Sequence, residues 1–225
     1  MSEAQLYTLT LPRVDALDSA ASAQEREQLL LQYGATGLID RVNWPEASAA
    51  RPLAAFVAAY SSTGLYINYI VRGRGLRAQN TADLSAVASD SCVEFFVEPH
   101  GDGRYWNFEF NCIGALNASH RVERDKPTRL QPAELEQVKR WPSLGTAAIP
   151  SADGLFSWQL MVFIPFALLG MNGIPAHSIR ANFNKCGSST VEPHFLSWSP
   201  IFTPKPDFHR VEYFGTLTFA NANRT

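Results

Sequence analysis

Glu94, Asn107, Glu109 and Asn111 lie on two alternating stretches, DSCVEFFVEP and YWNFEFNC, joined by HGDGR. Acids and amides stand where a solvated strand would carry Lys and Ser. Such groups hold several hydrogen-bond donors and acceptors at fixed spacing, which suits the hydroxyls of a sugar. Two carboxyls about 5 Å apart could also work as the acid and nucleophile of a retaining glycoside hydrolase. A second set, in RANFNKC, adds Arg180, Asn182, Asn184 and Lys185. Sugars also present apolar C–H faces, which aromatic rings cover. Trp198 in HFLSWSP and Trp44 in VNWPE are the candidate rings.

Strand parity places these groups. Ser91, Val93, Phe95 and Val97 share one face of the first stretch, and Asp90, Cys92, Glu94 and Phe96 the other. On the second, Trp106, Phe108, Phe110 and Cys112 oppose Tyr105, Asn107, Glu109 and Asn111. Only a register pairing even with odd numbers joins the two apolar rows. A turn between Gly101 and Asp102 then sets Glu94 opposite Glu109, Cys92 opposite Asn111 and Phe96 opposite Asn107. Like charges so placed repel. A raised carboxyl pKa, a cation, a basic side chain or a ligand's hydroxyls would offset that. With Phe183 toward the core, Arg180, Asn182, Asn184 and Cys186 join the polar face, and Arg180 is positioned to neutralise one carboxylate. The expectation is a wet outer sheet face, the Leu130–Trp141 segment being the cover to exclude.

The elements around the hairpin read mostly as strands. Pro52–Tyr60, Gly64–Arg72, Leu155–Ile164, Ser178–Cys186, His194–Trp198 and Val211–Phe219 are β-branched and aromatic, with Gly and Pro between them. Phe156, Trp158, Leu160, Val162 and Ile164 fall on one face. Ser19–Tyr33 reads as a helix ended by Gly34, Leu130–Trp141 holds a short helix entered at Pro132, and Pro165 opens a turn closed by Gly170. The fold class is all-β, a β-sandwich of jelly-roll or immunoglobulin-like kind with a few short helices. A chain of 225 residues fits a single domain, 1–225, with the helix at about 19–33 as an appendage.

Composition removes several classes. The chain is 46% hydrophobic and 18% charged, which argues against disorder, and its net charge of −2 gives no footprint for nucleic acid or an anionic membrane. No apolar run is long enough to span a bilayer. The start, MSEAQLYTLTLPRVDALDS, lacks the pattern of a secretory leader, so the expectation is cytoplasmic unless a leader is missing. Cys92, Cys112 and Cys186 are odd in number and outside any CxxC, which argues against a disulfide framework or structural zinc. Cys92, Asn111 and Cys186 share a face, but a cysteine pair alone is a weak metal site. The Asn117-Ala118-Ser119 sequon reads as chance.

The blocks DSCVEFF, YWNFEFNCIG, RANFNKCG, HFLSWSPI and PDFHRVEYFG, with VNWPE and the IPF after Trp158, resemble family 9 carbohydrate-binding modules. They resemble more closely the stand-alone members of the DOMON-related superfamily. The match runs from about Ile39 to Phe219, with Val211 where the family pattern has Pro. The resemblance implies a DOMON-like β-sandwich that binds an oligo- or polysaccharide without catalysis, linked to polysaccharide (xylan- or cellulose-type) catabolism. It implies a glycoside hydrolase as partner, and structural calcium, for which Asp90 and Asp102 are candidates. In such modules two rings sandwich a sugar at a chain end. By motif position Glu94, Asn107, Asn182 and Trp198 match; Glu109, Asn111, Asn184 and Lys185 are neighbours; and Trp44, Trp106 or Tyr105 would supply the second ring. The alternatives are a glycoside hydrolase using Glu94 and Glu109, or a haem- or metal-binding sensor with His194 or His209 as ligand.

Overall fold

The computed structural model describes residues 5–48 and 50–220; the first four residues, where the leader reading begins, and the last five of the expected 1–225 domain lie outside these. In chain order the elements are β1 (Thr8–Leu11), α1 (Ala16–Ser19), α2 (Ala23–Tyr33), β2 (Ala35–Leu38), β3 (Leu53–Tyr60), β4 (Gly64–Ala78), β5 (Cys92–Glu98) and β6 (Tyr105–Asn111). There follow β7 (Leu116–Arg121), β8 (Pro127–Arg129), α3 (Pro132–Leu135), β9 (Lys139–Pro142), β10 (Ile149–Pro165), β11 (Ile179–Cys186), β12 (Phe195–Ser197) and β13 (Gly215–Phe219).

The strands form two sheets. One runs β1-β13-β11-β5-β6-β7-β8, with β12 beside the C-terminal half of β11; the other runs β2-β3-β4-β10-β9. The β1–β13 pair is parallel, and the hairpin strands β5 and β6 are antiparallel in the expected register, Glu94 opposite Glu109 and Cys92 opposite Asn111. The inner faces close on one apolar core. Phe56, Tyr69, Trp158, Leu160 and Val162 meet Phe95, Phe108, Phe110 and Phe183, and the Phe56 and Phe183 rings stack at 3.6 Å. Burial of this aromatic surface is the main force holding the sheets together.

Local physics moves several expected boundaries. The helix expected from Ser19 begins at Ala23, because Ser22 caps it by accepting the Glu25 amide while the Glu25 carboxylate accepts the Ala21 amide. Its Leu30 packs with Val57, Tyr66 and Met161 on the outer side of the second sheet. Gly34 ends it in an extended conformation, and a Cβ there would come within 2.6 Å of the Leu30 carbonyl. The helix in Leu130–Trp141 is only Pro132–Leu135, after which the chain enters β9 against β10. Leu130, Leu135 and Val138 sit in the main core, so this segment does not cover the acid-and-amide face. The last expected strand begins as a 3₁₀ turn, Val211–Tyr213, before β13.

Candidate functional site

The outer face of the first sheet carries its polar groups in cross-strand rows. Backbone pairing aligns Asn117, Glu109, Glu94, Asn184 and Ser197 across β7, β6, β5, β11 and β12. A second row runs Ser119, Asn107, Phe96 and Asn182, and a third Asn111, Cys92, Cys186 and Phe195. Each row follows from the two-residue period of its strands.

This face is not the wet surface expected. Glu94 is 3% exposed and Glu109 8%, while Asn107, Asn111, Asn182 and Asn184 are fully buried. The cover is Pro206–His209, a stretch that precedes β13 and lies over β5 and β6. Phe208 packs on Trp44 and Phe195, and His209 on Phe96 and Tyr105. The cover does not seal the sheet. A cavity of about 250 Å³ remains, floored by Glu94 and Glu109, walled by Phe96, Phe195 and Phe208, and rimmed by Arg124, Asp207 and His209.

The two carboxyls differ in their partners. Glu109 accepts Asn107 Nδ2 and Asn117 Nδ2, each at 3.0 Å, and Arg121 Nε reaches Asn107 Oδ1 at 2.7 Å. Glu94 accepts only a long 3.4 Å bond from Asn184 and a 3.0 Å contact from the Cys186 thiol. Burial lifts both carboxyls above their ordinary range; Asn117, Arg121 and Asn107 restrain Glu109, whereas Cys186 and Glu109 push Glu94 further, well above it. The opposed pair is therefore eased by the raised pKa of Glu94 and by amide donors around Glu109.

Of the remaining sequence-derived candidates, several have other work. Arg180 donates to the Phe214 carbonyl and sits opposite Glu98, so it neutralises neither Glu94 nor Glu109. Asn182 pins the chain after β12: its Oδ1 accepts the Phe183 and Ser199 amides, and its Nδ2 donates to the Ser199 carbonyl. Asn111 clamps a loop through the Asn80 carbonyl, Asp90 and the Ala115 amide. Asn184 lies in the central row with its Oδ1 buried and unpartnered. Lys185 has the opposite parity; it is buried over Trp158, with Nζ 2.7 Å from His194 Nε2. Trp198 follows Ser197, which lies on the outer face of the sheet, and so points into the core, edge-on to Phe56 and Phe183. Trp44 is 5% exposed, bonds the Thr203 carbonyl and only backs Phe208. Trp106 stacks on His120, away from the cavity.

The rings that do line the cavity, Phe96, Phe195 and Phe208, were not read as such from the sequence. Parity could have found Phe195, which shares a face with Ser197; Phe208, Arg124 and Asp207 arrive by loop packing and carry no strand signal. Calcium does not fit the acids singled out for it. Asp90 already accepts the Gln79 and Asn80 amides and Asn111 Nδ2 and pairs with Arg77, and Asp102 accepts the Arg104 amide in the hairpin turn. Both ring nitrogens of His194 are engaged, by Lys185 and the Glu192 carbonyl, which leaves it no nitrogen for an axial bond to haem; His209 Nδ1 meets the Tyr105 hydroxyl.

With this geometry in view, the class is an acid-and-amide β-sandwich with a small ligand cavity on one sheet. Residues 25–219 match the model of carbohydrate-binding family 9, and the chain belongs to that family. Non-catalytic carbohydrate binding is the function this membership assigns. A protein of Bacteroides uniformis described as carbohydrate-binding is similar at 32% identity, with a TM-score of 0.89 over 96% of this chain and 100% of that one. A family 9 module of Caldicellulosiruptor kristjanssonii in complex with cellotriose is 12% identical (TM-score 0.61, 97% of each chain) and shares the fold. The glucose complex of a family 9 module from the same organism is 10% identical, with a TM-score of 0.57 over 97% of this chain and 98% of that one. No curated protein matches this chain at a significant level.

Proposed function

We propose that the cavity over Glu94 and Glu109 is the sugar site, and that it takes one terminal ring of an oligo- or polysaccharide. The observation that carries this is the pair of opposed carboxyls on its floor with different partners: Glu109 is held by two amides, while Glu94 has a long bond from Asn184 and the Cys186 thiol, which leaves it hydrogen-bonding capacity for a ligand. Sugar hydroxyls both donate and accept, so a carboxyl can meet them in either role. Phe195 and Phe208 offer apolar surface to the C–H faces. A volume of about 250 Å³ lies just below the range of drug-sized pockets, which favours a single ring over a chain laid along a groove. The cellotriose and glucose held by family 9 modules of the same fold agree in chemical class.

The test is calorimetric titration with glucose, xylose and the corresponding β-linked oligosaccharides. Binding with stoichiometry one, weakened at least tenfold by Glu109→Gln and by Phe208→Ala, is the expected result. Unaltered affinity in both variants would remove the cavity from consideration. Hydrolysis of aryl glycosides, lost in Glu94→Gln, is the result that would make the pair catalytic instead. A link to polysaccharide catabolism, with a glycoside hydrolase acting on the same polymer as partner, is the context in which such a binder serves; co-purification from cells grown on xylan or cellulose tests it. Among the described residues no helix is long and apolar enough to cross a membrane.

A further inference from the structure

We propose that Cys92, Cys186 and Glu94 form a binding site for zinc or a similarly thiophilic divalent cation, in the wall of the cavity. Cys92 and Cys186 are directly opposed across β5 and β11, and Glu94 is one pleat along the same face of β5. The Sγ atoms and a carboxylate oxygen lie within 4.8 Å of one another, and Cys186 Sγ is 3.0 Å from Glu94 Oε1. In a tetrahedral zinc site, bonds of about 2.0–2.3 Å separate the donor atoms by roughly 3.3–3.8 Å. Side-chain adjustments that close the widest of these separations by about 1–1.5 Å therefore bring all three onto one ion.

The ligand types choose the metal. Two thiolates exclude calcium and magnesium, which take oxygen, and select zinc, cadmium or copper(I); the added carboxylate favours the borderline divalent ion. Two thiolates and a carboxylate together more than balance its charge. Cys92 is 0% exposed and Cys186 2%, so the ion would be shielded from competing solvent over most of its surface. Cys186 and Glu94 also line the cavity, which supplies both an entry path and an open fourth position. Around the ligands, Asn184 Nδ2 already bonds the second oxygen of Glu94, orienting the carboxylate. The buried, unpartnered Oδ1 of the same Asn184 is an acceptor without a donor, as a metal-bound water would provide. Cys112 shares none of this; it packs in the main core.

The ion would hold the same Glu94 that the proposed sugar site uses, so the two ligands compete and the metal alone is the probe. Reduced, chelator-treated protein is titrated with Co²⁺ and then Zn²⁺, without sugar. The expected result is one ion per chain, a thiolate-to-cobalt charge-transfer band with the visible bands of tetrahedral cobalt, and their loss on adding Zn²⁺. Cys112→Ser should leave the signal intact. Cys92→Ser or Cys186→Ser should remove the charge-transfer intensity contributed by one thiolate and lower affinity at least a hundredfold. Glu94→Gln should weaken the ion while keeping both thiolate bands. Zn²⁺ should also raise the thermal midpoint of wild-type protein by mass action, a reading that needs no variant. Absence of stoichiometric binding to the folded, reduced protein overturns the site, as does equal binding by a Cys92→Ser/Cys186→Ser double variant.

Discussion

At the residue scale, parity decides which aromatic side chains can meet a ligand. Ser197 lies on the outer face of the sheet, where its hydroxyl accepts Asn43 Nδ2 at 2.8 Å, so Trp198 must face the core. Trp198→Ala is expected to cost about 3–5 kcal/mol in urea denaturation, as for other large aromatic truncations in well-packed cores. Phe208 is only partly buried and outside that core; Phe208→Ala should cost less than half as much stability yet weaken sugar binding more than any core variant that still folds. Trp198 was the natural choice from HFLSWSP because tryptophan is the commoner sugar plate. What the sequence made legible was the acid-and-amide row on the hairpin, including the Glu94–Glu109 opposition, since a two-residue period leaves no freedom there. What it hid was which polar groups are spent internally: Asn111, Asn182 and Asp90 hold loops whose positions no local pattern encodes.

At the scale of elements, β3, β4, β5, β6, β10 and β11 could be read from their long apolar alternation, and the short β12 and β13 from the apolar and aromatic residues of HFLSW and VEYFGTLTF. β7 escaped because LNASHR alternates small and polar residues, yet it supplies Asn117 and Arg121 to the site. β1, β2 and β9 are four residues each, too short for a period to show. The cavity wall near Ala88 depends on one buried acid. Asp90 is 0% exposed and gathers two backbone amides, Asn80 Nδ2, Asn111 Nδ2 and Arg77, so it fixes the start of β5 to the end of β4. Asp90→Ala strands several buried donors and one guanidinium, and is expected to destabilise the protein by about 3–5 kcal/mol. Asp90→Asn keeps the shape but cannot accept from every donor, and should fall between. Chemical denaturation of the three proteins gives the order; an unchanged midpoint in Asp90→Ala would mean the loop is held by something else.

At the scale of the whole molecule, burial of ionisable groups beneath the cover of the first sheet sets how stability responds to acid. His209, covered by the loop and facing Phe96, is held down to about 4 from an ordinary 6.5, chiefly by desolvation. The groups that face it are Tyr105 on β6, Arg121 on β7, Arg124 and Asp125 beyond it, and Asp207 on its own loop; Arg121 and Arg124 lower it further while the acids oppose them. The folded state thus prefers the neutral imidazole, and the unfolded chain takes a proton first. His209 contributes full stability above about pH 6.5 and loses it progressively as pH falls toward about 4. Glu94 and Glu109 run the opposite way: their folded pKa values are raised, so their contribution is present at low pH and lost as pH rises through those values. Because the two trends overlap, the wild-type curve alone does not isolate the histidine, and the informative quantity is a difference. Between pH 7.5 and pH 5 the wild type should lose about 1–2 kcal/mol more than His209→Gln, as a fall from 6.5 to about 4 implies over this pH range. Urea unfolding of both proteins at the two pH values measures it. Parallel losses would show that the ring is solvated or protonated in the folded protein, and that the loop over the carboxyls is open rather than closed.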